Sequence, residues 1–268
     1  MITLTSDFGT PYPAAMKGVL LGRTDARLVD VGHDFPRQDV RTAAFWLRET
    51  LPYFPPATHL VVVDPGVGTD RDAIAIRAGE HALVGPDNGV LLPAARRLAG
   101  DAALECYVVD EASLEPVVPA GESVPDRSEG PRSNTFHGRD VFAPTAAAVH
   151  DSDGLDAVTA LTPTADPVDL ELPTATLEDG RAVGEVLVVD DFGNVITNVP
   201  GAFLETRERV VANGEPAPVG DTFAAVPAGD RLATVGSHGY VELDVNRGRG
   251  DAAFDLAVGD RVVLESTN

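Results

Sequence analysis

Leu60-Val61-Val62-Val63-Asp64-Pro65-Gly66-Val67-Gly68-Thr69 is the stretch that decides the fold. Four consecutive apolar residues leave no polar face, and the run stops abruptly at an acid, a proline and a glycine. A strand buried on both sides in a parallel sheet reads this way. Moving outward, Ile2-Thr3-Leu4-Thr5 and Leu28-Val29-Asp30-Val31 read as further strands, with helical patterns over 14–23 and 40–51 between them. Beyond the central run, 73–77 and 82–84 follow closely enough to pair as neighbours. A helix over 89–98, a strand over 107–110 and a helix over 141–150 complete the series. Alternating strands and helices argue for an α/β domain, a Rossmann-like sandwich on a mainly parallel sheet, over 1–160. Such sheets hold ligands beyond the C-terminal ends of their strands.

The texture changes after residue 160. The stretch 161–179 carries three prolines without apolar periodicity and reads as a linker. From 180 to 268 short β-type runs follow at 184–189, 195–199, 209–212, 222–226, 240–245 and 261–265, separated by turns such as Asp191-Phe192-Gly193-Asn194 and Asn213-Gly214. This is the pattern of a small all-β barrel or sandwich, with no convincing helix. A Pro-, Ser-, Gly- and acid-rich stretch over 111–134 reads as a mobile surface loop, long enough for a lid.

Composition narrows the function classes. Forty-two acidic residues against twenty basic ones leave a net charge of −22. Such a field repels nucleic acid and anionic membranes, so neither is an expected partner. The acids are dispersed along the chain and the single lysine is Lys17. A coat of this kind keeps a protein soluble in concentrated salt, where repulsion is screened to a few ångströms. No apolar run is long enough to span a bilayer, and no signal-type segment opens the chain, so a cytoplasmic location is expected. The lone cysteine, Cys106, lies in an apolar run and reads as core.

Four polar stretches fall at strand ends or turns. In Thr5-Ser6-Asp7-Phe8-Gly9-Thr10 an acid, an aromatic and a glycine follow the first strand, which suits either a ribose-holding carboxylate or an Asx-type turn. Asp64 and Arg71 are seven residues apart across a glycine-bearing turn, so the chain can fold back and pair them. The segment matches neither a phosphate loop nor a dinucleotide fingerprint, and a structural ion pair would look the same. Phe136-His137-Gly138-Arg139-Asp140 opens a helix, where the dipole opposes positive charge and a neutral histidine base is favoured. Asp190-Asp191-Phe192-Gly193-Asn194 through Asn198 is a hairpin corner whose side chains could also read an amine or a purine edge. No cluster of metal-ligand spacing is evident, and no metal or cofactor is expected.

In this order the motifs resemble one family nearly end to end. They are Ser6-Asp7-Phe8-Gly9, Met16-Lys17-Gly18, Asp30-Val31-Gly32-His33, Val63-Asp64-Pro65-Gly66-Val67-Gly68-Thr69 with Arg71, Gly85-Pro86-Asp87-Asn88-Gly89, Phe136-His137-Gly138-Arg139-Asp140, Asp191-Phe192-Gly193-Asn194, and 237–242. The chain looks like a member of the S-adenosyl-L-methionine hydroxide adenosyltransferase family, which includes fluorinating and chlorinating relatives. With the acidic coat, the resemblance is to a haloarchaeal-type member.

The resemblance implies hydrolysis of S-adenosyl-L-methionine to adenosine and L-methionine, by a homotrimer whose active site lies at the subunit interface. Asp64, Arg71 and His137 match the residues around the attacking water. The halogenating branch has tyrosine at the position of Asp64 and serine at that of Gly138, so water is the implied nucleophile. The rival readings are a halide adenosyltransferase and a nucleoside sensor without turnover. By the same match Asp7 meets the ribose, Asp190 the methionine amino group, Asn194 the adenine, and Ser237 and His238 the methionine carboxylate. Phe8, Phe192, Tyr240 and Glu242 complete the implied substrate-binding set. Relatives carry a further acid between the Asp7-Phe8-Gly9 turn and the Met16-Lys17-Gly18 helix, and here only Thr10-Pro11-Tyr12-Pro13 fills that gap.

Overall fold

The computed structural model describes residues 1–119 and 134–266. The chain divides into two units, Met1–Glu171 and Leu172–Asn268. Most of the expected lid loop, 120–133, lies outside the described residues.

The first unit is a seven-stranded sheet with helices on both faces. Its strands are β1 (Ile2–Ser6), β2 (Leu28–Gly32), β3 (Thr58–Val62), β4 (Ala73–Ala78), β5 (His81–Pro86), β6 (Glu105–Val109) and β7 (Leu161–Thr164), in the order β2-β1-β3-β5-β4-β6-β7. Helices α1 (Tyr12–Leu21), α2 (Val40–Thr50), α3 (Leu92–Ala99) and α4 (Ala143–Asp151) cover it. The alternation of the central strand explains its unbroken apolarity. Leu60 and Val62 pack into one core with Met16, Leu20 and Phe142, while Val61 and Val63 pack into the other with Leu47, Leu91 and Ala95. Each fully buried side chain of this size contributes roughly 1.5–3 kcal/mol. Local chemistry agrees with the fold: the Asp39 carboxylate caps α2 by accepting from Thr42 N at 2.9 Å.

The sheet is mixed and not mainly parallel. β2-β1-β3-β5 pair in parallel, whereas β5-β4, β4-β6 and β6-β7 pair antiparallel. For β4 and β5 the cause is the two-residue link Gly79-Glu80 between them, with Gly79 at φ +60°. Parallel neighbours need a crossover, which so short a link cannot supply.

The second unit is a nearly closed antiparallel barrel of β8 (Thr176–Glu178), β9 (Arg181–Val189), β10 (Val195–Pro200), β11 (Arg209–Ala212), β12 (Glu215–Pro218), β13 (Arg231–Val235), β14 (Tyr240–Val245) and β15 (Arg261–Ser266). Val219 bridges Ala233 and brings the two ends of the sheet together. A short helix, α5 (Gly250–Phe254), contributes Phe254 to the barrel core, against the expectation of no helix.

Other expectations are also corrected. The stretch 161–179 is not a plain linker, because β7 and β8 lie in it. Residues 223–225 of the expected strand at 222–226 form a 3-10 turn. β7 and β12 escaped notice because Pro163, Pro216 and Pro218 interrupt them, and prolines are tolerated at the sheet edges both strands occupy. Among the described residues no helix is long and apolar enough to cross a membrane.

Candidate active site

Asp64 stands two residues past the end of β3. The Asn88 side chain donates to the carbonyl of Val63 at 3.0 Å and accepts from Val90 N at 3.1 Å, tying that strand end to the turn after β5. Close approach demands glycine nearby: a Cβ at Gly85 would lie 2.5 Å from the carbonyl of Val61. The chain then turns back on itself. Val67 N donates to Asp64 O, Thr69 N donates to Gly66 O, and Gly68 takes φ +78° against the backbone of Asn134.

The fold-back delivers Arg71 to Asp64. Arg71 Nε donates to Asp64 Oδ1 at 2.8 Å and Nη2 donates to Oδ2, a bidentate pair whose side chains are 10% and 4% exposed. Nη2 also donates to His137 Nδ1 at 3.0 Å, and the guanidinium carbon lies 5.0 Å from the centre of the Phe142 ring. A guanidinium can only donate, so Nδ1 accepts and the neutral ring carries its proton on Nε2.

His137 is buried and directly precedes a π-helical turn, Gly138–Phe142, that runs into α4. Such turns recur at functional sites because they re-aim side chains. Position 138 is tightly packed: a Cβ there would lie 2.9 Å from Met16 Sδ and 3.2 Å from both Phe136 and Val62. Next to it, Arg139 makes a bidentate pair with the buried carboxylate of Asp140 at 2.6 and 2.7 Å, which raises the Arg139 pKa further.

Asp64, His137, Gly138 and Arg139 face a cavity of about 430 Å³, lined also by Asp7, Phe8, Tyr12 and Phe136. Phe8, Tyr12 and Phe136 meet edge to face with centroids 5.5–6.1 Å apart, forming an aromatic wall. Asp7 is buried and one carboxylate oxygen accepts from Gln38 N at 2.6 Å. Thus Asp7, Phe8, Asp64 and His137 line one cavity, with Arg71 bonded to two of them. Within the shortened gap, Tyr12 supplies an aromatic ring where relatives were expected to have an acid.

The second unit groups another set. Asp190 accepts through both carboxylate oxygens from Asn194, at 2.9 Å to the backbone N and 3.0 Å to the side-chain amide. Phe192 projects from the same turn, 79% exposed. Ser237 and His238 occupy the turn between β13 and β14, and Tyr240 and Glu242 lie on β14. Glu242 is buried, and desolvation first, then the charge of Asp190, raises its pKa to about 7. Burial, then Glu242 and Asp190, pushes Asp244 to about 8. Neither carboxyl oxygen of Asp244 has a hydrogen-bond partner among the described residues. By contrast Thr197 and Asn198 of the hairpin motif are structural: Thr197 donates to Val241 O, and Asn198 bonds Glu185 N and Pro173 O.

Sequence reasoning gave no role to Asn88, Tyr12 or Asp244. Asn88 offered a signal, an amide directly after a Pro-Asp turn. The other two gain their significance only from neighbours distant in sequence. No group of three or more His, Cys, Asp or Glu among the described residues could hold a metal ion.

A mixed α/β unit with an acid–guanidinium–imidazole set at a strand end, followed by an antiparallel barrel, defines a two-domain enzyme class. The chain belongs to the S-adenosyl-L-methionine hydroxide adenosyltransferase family: residues 2–159 match the N-terminal domain of that family and residues 184–263 its C-terminal domain. It is 43% identical over 268 residues to a Salinispora arenicola protein named (R)-S-adenosyl-L-methionine hydrolase, covering 97% of this chain and 96% of that one. A Thermus thermophilus protein of the same name is 42% identical, with 97% of each chain covered. Among solved structures, an uncharacterized conserved protein from Thermotoga maritima aligns with a TM-score of 0.81 at 31% identity, over 98% of this chain and 99% of that one.

Proposed function

We propose that this chain is an S-adenosyl-L-methionine hydrolase, releasing adenosine and L-methionine, and that Asp64, Arg71 and His137 carry the reaction. The observation that carries this reading is an acid and an imidazole on the wall of a nucleoside-sized cavity, joined through the one guanidinium of Arg71, in a chain of this family.

The sulfonium of the substrate is already a good leaving group, so the protein's task is to prepare the nucleophile. A water molecule attacks the ribose 5′ carbon in line with sulfur, the new C–O bond forming as the C–S bond breaks and its electron pair leaves on methionine sulfur. Of the two candidate bases, Asp64 is the better placed to take the water proton, because Nδ1 of His137 is engaged by Arg71 and Nε2 bears the ring proton. Arg71 stabilises the developing hydroxide, and His137 Nε2–H supplies a second donor. Hydroxide and sulfonium neutralise one another as they react, so a dry aromatic pocket favours the transition state. The chemistry therefore needs no metal. Gly138 supports water over halide as the nucleophile, since it lacks the hydroxyl that the halogenating branch carries there as serine.

Asp7 and Phe8 are assigned to the ribose side. Asp190, Asn194, Phe192, Ser237, His238, Tyr240 and Glu242 are assigned to adenine and the methionine end. The assembly we favour is a homotrimer in which the β unit of a neighbouring copy completes the pocket. The dispersed acidic surface suits a saline cytoplasm.

The test is to incubate purified protein with S-adenosyl-L-methionine in high potassium chloride and separate the products by chromatography. Adenosine and methionine in equal amounts are expected. A chlorinated nucleoside would move the chain to halide transfer, and bound but unchanged substrate would make it a sensor.

A further inference from the structure

The turn that brings Asp7 and Phe8 to the cavity is held at both ends by one residue. Ser6 Oγ and His33 Nδ1 are 2.7 Å apart, and Gly9 N donates to the backbone carbonyl of His33 at 2.7 Å. Only Asp7 and Phe8 lie between these two attachments, and Gly9 takes φ +62° to close the turn. The register of the sheet makes this possible. Leu4 pairs with Asp30 but Thr5 pairs with Gly32, so an extra residue on β2 carries His33 forward to stand opposite Ser6. In unbroken register Ser6 would face Gly32, which has no side chain. Bulges of this kind commonly re-aim a side chain beside a functional site.

The imidazole is itself held. Its Nε2 lies 3.0 Å from Asp30 Oδ1, and Lys17, on α1, donates to Asp30 Oδ2 at 2.5 Å. A carboxylate only accepts, so Nε2 carries a proton and Nδ1 is left to face the Ser6 hydroxyl. Ser6 is completely buried, which rules it out as a nucleophile despite the serine–histidine–aspartate sequence of contacts. The Lys17–Asp30 pair is partly exposed and contributes little stability alone. Its consequence is orientation.

We propose that His33 is a positioning residue: with Asp30 and Lys17 behind it, it clamps the Ser6–Gly9 turn and so fixes Asp7 and Phe8 on the cavity wall. The proposal rests on the reading of that cavity as the nucleoside pocket. Asp7 meets substrate in ground and transition states alike, so loosening it weakens binding more than chemistry.

The experiment compares wild type with His33→Ala, Ser6→Ala, His33→Asn, Asp7→Asn and the Asp7→Asn/His33→Ala double variant. Hydrogen exchange is read peptide by peptide, and turnover of S-adenosyl-L-methionine is read as KM and kcat. In His33→Ala the Phe8 and Gly9 amides should exchange about tenfold faster, the scale of one lost hydrogen bond, while the amides of 2–5 stay protected. KM should rise about tenfold with kcat within about threefold, and the double variant should be no worse than Asp7→Asn alone. His33→Asn, whose amide oxygen can replace Nδ1, should restore most of the KM. Ser6→Ala cuts the same bond from the other side and should repeat the exchange result, whatever the folding of His33→Ala. Unchanged exchange at Phe8 and Gly9 would overturn the clamp, as would equal loosening of 2–5 or strict additivity in the double variant. Exchange needs no substrate, so a wild type without turnover sinks the proposed reaction and leaves the clamp to be judged on its own.

Discussion

Buried carboxylates appear in both units, and the two units treat them oppositely. Asp64 is bidentately paired with Arg71, which reaches on to His137, so its charge is met within hydrogen-bond distance. Asp190, Glu242 and Asp244 are brought near one another in the barrel, where Asp190 is satisfied by a neutral amide and Asp244 by nothing described. The same side chain therefore meets a cation within hydrogen-bond distance in one place and is crowded by other carboxyls in the other.

The sharpest way to break this contrast is to remove the cation of the first site. Arg71→Ala should lower kcat by about 10²–10³-fold with a far smaller change in KM, measured by product formation. Arg71→Lys should not restore it, since an ammonium cannot make the bidentate contact. Comparable loss in kcat and in binding would mean that Arg71 only holds the turn.

Next in size, Asp64→Asn leaves a buried guanidinium without its counter-charge and should cost about 3 kcal/mol of stability by denaturant unfolding. A cost near zero would show the pair is solvated in solution.

The barrel should respond in the other direction. Glu242 and Asp244 have folded pKa values raised to about 7 and about 8, above those of unfolded carboxyls. Their stabilising protonation is complete below about pH 4 and is lost as pH rises through 7 and 8. Asp244→Asn should therefore stabilise the protein at pH 8–9 by roughly 1–3 kcal/mol and do little at pH 4. A destabilised Asp244→Asn at pH 8 would mean that the carboxylate has a partner in solution.

A smaller effect belongs to the opposite end of the first sheet. His59 is fully buried, accepts or donates at 2.7 Å to Thr3 and at 2.9 Å to His81, and desolvation, then His81, lowers its pKa to about 3. A lowered histidine withdraws stability as pH falls from about 6.5 toward 3. His59→Gln should flatten that acid slope in melts taken across the range, with little effect on kcat. An unchanged slope would assign acid sensitivity to other groups.

The first half of this contrast was partly legible in the sequence, and the illegible part has a common cause. Asp64 and Arg71 were readable because seven residues and a glycine turn separate them, so local geometry alone allows the pair. His137 could be suspected from its helix start, but its bond to Arg71 spans 66 residues. The mixed sheet was foreshadowed by the closeness of 73–77 to 82–84, yet the edge strands with prolines carried no pattern to read.

The sequence alone determined the alternation of buried strands and helices, the all-β character of the second unit's sheet, and the motifs that name the family, because periodicity and short-range turn chemistry are local properties. Tertiary structure decided which polar groups share a cavity, which carboxyls are left unpaired, and that a bulge in β2 sets His33 against Ser6. Those outcomes depend on register and burial, which arise only when distant segments pack together.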